Sequence, residues 1–266
     1  RSLHEIEPLP QKQQLSRHLL LAESALSRRD YPTAAQNLEA AAKINSNLSR
    51  LVRLQLRYAF DHGDAADVLA KAEKLVKAGA INDYEAEQYQ NWAYRRLLSE
   101  VTDAGSLKAC LKRIPESLKS GELCVAIAEK CERLGLYAEA VKWVKVHYPQ
   151  THQPELLEAF VESVRFLSER EQQKAIDLAD SWLQEQPDNA PLLMYLGQLA
   201  YGRKLWGKAQ GYLEASIALQ PSVSAHLVLA RVFDETDQPQ KAQEQRNLVL
   251  ESVAEEEHPA ALPQPN

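Results

Sequence analysis

The sequence predicts an all-α protein, and three observations favour that class. Glycine and proline together supply only 22 of the 266 residues, so the chain has few of the residues that tight turns require. Aromatic residues make up only 7% of the chain, whereas alanine and leucine are abundant, a composition that favours helices over strands. The third observation is an internal repeat with a period of about 34 residues, which is typical of stacked helical hairpins.

Small residues and prolines recur at the repeat interval. The recurring sets are Ser163, Gly197 and Ala230; Ala175, Ala209 and Ala242; and Pro187 and Pro221. Small side chains let the two helices of a hairpin approach closely, and each proline ends the second helix, which it cannot extend. An earlier unit around Ile127 and Ala140 is expected to end near Pro149.

The segment from Ala190 to Pro221 carries the tetratricopeptide pattern. It reads Leu193-x2-Leu196-Gly197-x2-Ala200, then Ala209-x3-Leu213, then Pro221, with Ala200 and Leu213 standing where the pattern has aromatic residues. We therefore expect a tetratricopeptide-like α-solenoid, a right-handed superhelix of about seven helix pairs, over residues 12–254. Residues 1–11 are predicted to be a flexible N-terminal segment, and residues 255–266 a disordered, acidic and proline-rich tail.

Charge and motif content exclude several classes of function. The formal net charge of −6 argues against a nucleic-acid-binding surface and against electrostatic docking on anionic lipid. No phosphate loop, dinucleotide fingerprint, zinc-protease motif or nucleophile elbow is present, so the sequence does not predict an enzyme. No run of apolar residues is long enough to span a membrane. Because the chain begins at Arg1 rather than at methionine, we expect it to continue a longer protein.

Cysteine and histidine offer the candidate metal ligands. Cys124 and Cys131, seven residues apart, lie on one helical face about 10 Å apart, and we interpret them as core residues rather than metal ligands. His147 and His152 flank a predicted loop, and we interpret them as solvated histidines, with zinc or porphyrin iron as the alternative. The sequence therefore predicts no metal and no cofactor, and haem or porphyrin binding is an alternative that no motif supports.

The first helix of each hairpin lines the concave groove of a tetratricopeptide array. Projecting the repeat onto the sequence gives a predicted partner-binding groove of nine residues: Glu129, Glu132, Arg133, Phe160, Met194, Gln198, Tyr201, Arg231 and Asp234. Such a groove is apolar in its middle and charged at its ends, which suits an extended peptide or a partner helix. The alternative is that neighbouring repeats cover some of these positions.

The final units resemble the HemY family, proteobacterial membrane-anchored tetratricopeptide proteins associated with haem biosynthesis. The residues that carry the resemblance are Pro191 to Gln198, Leu205 to Ala209, Leu213 to Ser216, Pro221, Leu229 to Asp234 and Pro239 to Ala242. Trp92 and the Ile127-Ala128-Glu129 run are similar as well. The resemblance implies two transmembrane helices ahead of Arg1, an inner-membrane location and a cytoplasmic side for this domain. It provides no catalytic residues.

Three functions follow as hypotheses. The first is a non-catalytic scaffold that holds haem-biosynthesis enzymes together at the inner membrane. The second is tetrapyrrole carriage, in which His147 or His226 would ligate iron while Phe160 covers the ring. The third is an envelope-assembly or chaperone adaptor that binds extended peptides.

Overall fold

A computed structural model of the chain describes residues 10–257, and these residues form helices without any strand. The helices, in chain order, are α1 (Gln11–Ser27), α2 (Tyr31–Ile44), α3 (Ser49–His62), α4 (Ala65–Lys77), α5 (Asp83–Glu100), α6 (Ala104–Arg113), α7 (Glu116–Ser120), α8 (Cys124–Arg133), α9 (Tyr137–Thr151), α10 (Pro154–Val164), α11 (Glu169–Glu185), α12 (Ala190–Gly202), α13 (Trp206–Leu219), α14 (Val223–Glu235) and α15 (Pro239–Glu257). The all-α class is thereby confirmed.

The described residues divide into two compact units, with the division between Leu118 and Lys119. The first unit contains the helix pairs α1/α2, α3/α4 and α5/α6. The second contains α8/α9, α10/α11, α12/α13 and α14/α15, and the short helix α7 lies at the division. Each unit is a stack of antiparallel helical hairpins, and together the described residues supply the seven helix pairs that the repeat predicts.

Main-chain hydrogen bonds close the turn inside five of the hairpins. In each of them an N–H donates to the carbonyl five residues earlier, which satisfies an end of the first helix. The bonds run from Asp30 to Ala25, Asp64 to Ala59, Leu136 to Cys131, Leu205 to Ala200 and Gln238 to Phe233. The residue just before each donor has positive φ: Arg29, Gly63, Gly135, Lys204 and Asp237. One left-handed residue therefore reverses the chain within each of these hairpins.

The recurring small residues lie where the helices of the second unit pack together. Ser163, Gly197 and Ala230 are all buried, as are the three alanines that recur on the second helices. Pro187 and Pro221 each stand two residues beyond the end of a second helix, as predicted. Cys124 and Cys131 are also buried, in agreement with the interpretation of both as core residues.

Pro149 corrects one expectation of the sequence. The residue does not end its helix, because α9 continues through it to Thr151, and the predicted loop between His147 and His152 is therefore wrong. The reason is the neighbouring residue Tyr148, which is buried with its ring 4.7 Å from that of Trp182. The packing of Tyr148 holds the last turn together although Pro149 lacks an N–H to donate.

The ends of the chain differ in part from the predicted boundaries. Helix α1 begins at Gln11, one residue inside the predicted flexible segment, and α15 continues to Glu257, three residues into the predicted tail. Residues 1–9 and 258–266, where the rest of both predictions falls, lie outside the described residues. Within residues 10–257 no helix combines the length and the apolar character needed to cross a membrane.

Candidate partner-binding cleft

The second unit contains a cleft of about 310 Å³ between the first helices of three successive hairpins, α10, α12 and α14, with the start of α11 as a further wall. Its lining residues are Val161, Glu162, Val164, Arg165, Gln172, Ile176, Gln198, Leu199, Tyr201, Gly202, Arg203, Val228 and Arg231. The cleft is therefore built from residues at the C-terminal ends of α10 and α12 and the middle of α14.

Helix caps set the register that brings these residues together. The Asn189 side chain accepts a hydrogen bond from the N–H of Leu192, and the Ser222 hydroxyl accepts one from the N–H of Ala225. These caps fix the first residues of α12 and α14, and thereby which side chains of each helix face the core. The buried apolar residues of the lining form the floor of the cleft, and its polar residues, which are half-buried or exposed, form the rim. The floor residues are Val161, Val164, Ile176, Leu199 and Val228.

Three of the nine residues predicted for the groove line this cleft: Gln198, Tyr201 and Arg231. Gln198 and Tyr201 are half-buried, whereas Arg231 is exposed. The Gln198 amide donates to the sulfur of Met194 at 3.1 Å, and the Tyr201 ring packs 5.4 Å from that of Trp206. Met194, a fourth predicted residue, thus holds Gln198 in place from a half-buried position beside the cleft.

Phe160 corrects the predicted groove. Its side chain is only 1% exposed and packs 5.4 Å from the ring of Trp182 inside the core, so it is not available to a partner or to a porphyrin ring. Helical periodicity places Phe160 on the inner face of α10, but it does not show how deeply the helices packed on that face bury the side chain. Phe160 is a covered position, and the ring that packs on it belongs to α11, the second helix of its own hairpin.

The charged residues predicted at the ends of the groove lie outside the cleft lining. Glu129 and Arg133 form an ion pair along α8 at 3.2 Å, one helical turn apart, and Glu132 is half-buried on the same helix. Asp234 pairs with Arg246 of α15. Glu129 and Asp234 are thus paired with arginines of their own hairpins, and Glu132 does not line the cleft.

Three charged residues of the cleft were missed by the sequence reasoning: Glu162, Arg165 and Arg203. Arg165 and Arg203 directly follow the last residues of α10 and α12, so a projection restricted to helical positions passes over them. Glu162 forms an ion pair with Arg165, three residues later. The sequence feature that could have identified Arg165 and Arg203 is an arginine directly after the first helix of a hairpin.

The histidines proposed as iron ligands lie apart from the cleft lining. In α9, the His147 ring stacks on Trp143 with centroids 4.0 Å apart, and its Nδ1 lies 2.9 Å from the Trp143 carbonyl oxygen. In α14, Nδ1 of His226 lies 2.7 Å from Oε1 of Gln245. Among the described residues, no three histidine, cysteine or acidic side chains are grouped so as to hold a metal ion. Haem or porphyrin binding by either histidine stays an untested alternative to the prediction of no cofactor.

The sequence matches no protein-family model and no curated protein. Among solved structures, the chain is similar to the MamA protein (11% identity, 96% of this chain and 100% of that chain, TM-score 0.41). It is also similar to yeast Tom70 (12% identity, 92% and 63%, TM-score 0.41) and to the P58(IPK) TPR domain (19% identity, 86% and 67%, TM-score 0.33). The class that this chain's own helices define is a tetratricopeptide-like helical-hairpin protein.

Proposed function

We propose that this protein is a non-catalytic scaffold that binds a segment of a partner protein in the cleft between α10, α12 and α14. The observation that carries the proposal is the cleft itself, in which an apolar floor and a polar rim come from consecutive hairpins. Such a surface offers both buried contact area and directional hydrogen bonds to an extended chain. The residues that line it include no histidine, cysteine, serine or lysine, so the cleft does not provide the usual pairing of a nucleophile with a base.

The cellular role that we propose is the organisation of late haem biosynthesis at the bacterial inner membrane. This part of the proposal is supported by the resemblance to the HemY family, including the run from Leu229 to Asp234 in α14. In this arrangement the domain stands on the cytoplasmic side, tethered by membrane segments ahead of Arg1, and its partners are haem-biosynthesis enzymes. An adaptor for envelope assembly would use the same cleft and differs only in its partners.

The test is site-directed crosslinking in cells, with a photoreactive amino acid placed at Gln198 of the membrane-anchored protein. A matched control carries the same group at Gln184, an exposed glutamine of α11 outside the cleft lining. We expect defined protein adducts from position 198 that are absent from position 184, with haem-biosynthesis enzymes among them.

The other outcomes separate the two parts of the proposal. Specific adducts only with envelope-assembly proteins would keep the cleft as the docking site and remove the haem role. Identical adducts from both positions, or none from either, would contradict the cleft as a partner-binding site.

A further inference from the structure

The last described hairpin, α14/α15, exposes two leucines at positions that are covered in the hairpin before it. Met194 of α12 and Ile217 of α13 are half-buried, because they pack on the core cluster that these helices share with α14 and α15. Leu227 and Leu250 stand 33 residues later, at the same repeat positions. They are 40% and 67% exposed, since no further hairpin covers them within residues 10–257. We call these two leucines the rear face.

Helix α1 exposes the corresponding surface of the first hairpin. Counted from the left-handed turn residue of each hairpin, Leu20 and Leu21 hold the places of Val228 and Leu229 in α14. Val228 and Leu229 are buried in the core cluster that α14 shares with the preceding hairpin. Leu20 and Leu21 are 58% and 40% exposed, since no described helix precedes α1. We call Leu20 and Leu21 the front face.

The front and rear faces are the two halves of the contact that joins one hairpin to the next. Between α12/α13 and α14/α15, residues at the front and rear positions pack on a single core cluster. In an array whose hairpins contact only their neighbours, the first and last hairpins each leave one half of this contact unpaired. The front face of a second copy therefore offers the rear face the same kind of apolar side chains that it meets within the chain.

The first and last hairpins carry opposite charge. Residues 11–44 contain five basic and three acidic residues, whereas residues 223–257 contain three basic and eight acidic residues. Opposite charges attract each other when the first hairpin of one copy meets the last hairpin of another. Two first hairpins, or two last hairpins, repel each other. The charges thus favour contact between unlike ends.

Some of these charges lie beside the leucines of the two faces. Lys12 and Arg17 line one strip of α1 together with the leucines of the front face. On α15, the exposed Glu251 follows Leu250 of the rear face directly, and Glu244 is exposed two turns earlier. Each face therefore combines exposed apolar side chains with charges of one sign.

We propose that copies of this chain associate head to tail, with the front face of one copy stacked on the rear face of the next. The contact removes the leucines of both faces from water and brings Lys12 and Arg17 towards the glutamates of α15. None of these residues lines the cleft between α10, α12 and α14, so the inference is independent of the proposed function. Its consequence is an assembly that presents several copies of any partner site that one chain carries.

The first measurement is sedimentation velocity of the purified chain from about 1 to about 500 μM, because so small an interface binds weakly. We expect the average mass to rise with concentration and to exceed that of a dimer, since each added copy leaves one front face and one rear face free. Salt at about 0.5 M should weaken the association by screening the charges. A chain that stays monomeric, or an association that stops at the dimer, would overturn the proposal.

Two single-face variants test the direction of the contact. Leu20→Glu disables the front face and Leu250→Glu the rear face, so each variant alone should remain monomeric. An equimolar mixture should form a one-to-one dimer and nothing larger, because the intact rear face of the first variant binds the intact front face of the second. Val146→Glu, at an exposed valine of α9 away from both faces, is the matched control and should associate as the unmodified chain does.

The remaining outcomes contradict the proposal. Association lost in only one of the two leucine variants would mean that a face binds its own copy, and association unchanged in both would place the contact elsewhere. A second pair, Arg17→Glu and Glu251→Arg, reverses one charge at each face and should weaken association about tenfold in each case. Thermal unfolding of every variant verifies that it is folded.

Discussion

The side chain of Leu213 occupies the space that a Cβ on Gly197 would need. The Cγ atom of Leu213 lies 2.5 Å from the ideal position of that Cβ, and the leucine is fully buried. Gly197 belongs to α12 and Leu213 to α13, so the absence of a side chain at residue 197 sets how closely the two helices of this hairpin pack. The small residue that recurs in the sequence thus has a specific partner.

Gly197→Ala is therefore expected to lower the free energy of unfolding by about 1–3 kcal/mol, because the added methyl group forces Leu213 and its helix to move. Gly211→Ala is the matched control: Gly211 is exposed in α13, and no atom lies within 4 Å of its added Cβ. Its better helix propensity should raise stability by roughly 0.5–1 kcal/mol. Chemical denaturation of both variants measures the two values, and equal effects would contradict the close approach.

The residues with positive φ in the hairpin turns should respond to substitution according to whether they are glycine. Lys204 and Gly135 hold equivalent places, with φ of 57° and 72°, and a side chain is strained in that conformation. Lys204→Gly should raise the free energy of unfolding by up to about 1 kcal/mol, whereas Gly135→Ala should lower it by about 1 kcal/mol. Thermal and urea unfolding test the pair, and a shift of the same sign in both would count against the shared turn geometry.

Two buried serines should respond oppositely to the same substitution. The hydroxyl of Ser216 donates to the carbonyl of Ala190 at 2.8 Å, whereas the buried hydroxyl of Ser163 has no hydrogen-bond partner among residues 10–257. Ser216→Ala should cost about 1 kcal/mol, and Ser163→Ala should stabilise the protein by roughly 0.5–1 kcal/mol. Equilibrium unfolding distinguishes them; a loss of stability in Ser163→Ala would reveal a partner such as bound water.

Cys131 makes stability depend on pH at the alkaline end. Burial, and secondarily the nearby charge of Glu139, raises the pKa of this thiol from its ordinary value to about 11. Because the folded pKa lies above the unfolded one, the protonated thiol contributes stability that is fully present below about pH 9. That contribution is lost as pH rises towards 11. Cys131→Ala should remove this component of the pH dependence, as measured by urea unfolding at a series of alkaline pH values.

The reactivity of the same cysteine provides an independent check. Only the thiolate attacks a disulfide reagent, and the thiol of Cys131 is both buried and protonated near neutral pH. We expect Ellman's reagent to label the folded chain much more slowly than the urea-unfolded chain. Rapid labelling of Cys131 in the folded state would contradict the burial of this residue of α8.

The hairpins could be predicted from sequence because they depend on local chemistry. Gly197 and the prolines at 187 and 221 mark a close approach and two helix ends, and each of these effects acts within one repeat. The loop predicted at Pro149 was wrong because it depends on a contact between hairpins. The burial of Tyr148 against Trp182 keeps the helix intact around the proline.

The cleft was predictable only in part, for a related reason. Helical periodicity identified the face of α12 that carries Gln198 and Tyr201 and the face of α14 that carries Arg231, since residues three and four apart share a face. How deeply a side chain is buried depends instead on the helices packed against it, and Phe160 lies in the core against Trp182 of α11. Arg203 was missed because its position follows from the turn after α12 rather than from any helical face.

The turns inside the hairpins have a consequence for how such a chain can diverge. Each is held by a bond between main-chain groups and by one left-handed residue, which is glycine in two hairpins and arginine, lysine or aspartate in three others. Mutations can thus accumulate at these corners over evolutionary time while the corner keeps its shape. Between related chains, sequence identity at these turns therefore falls faster than the similarity of the backbone structure.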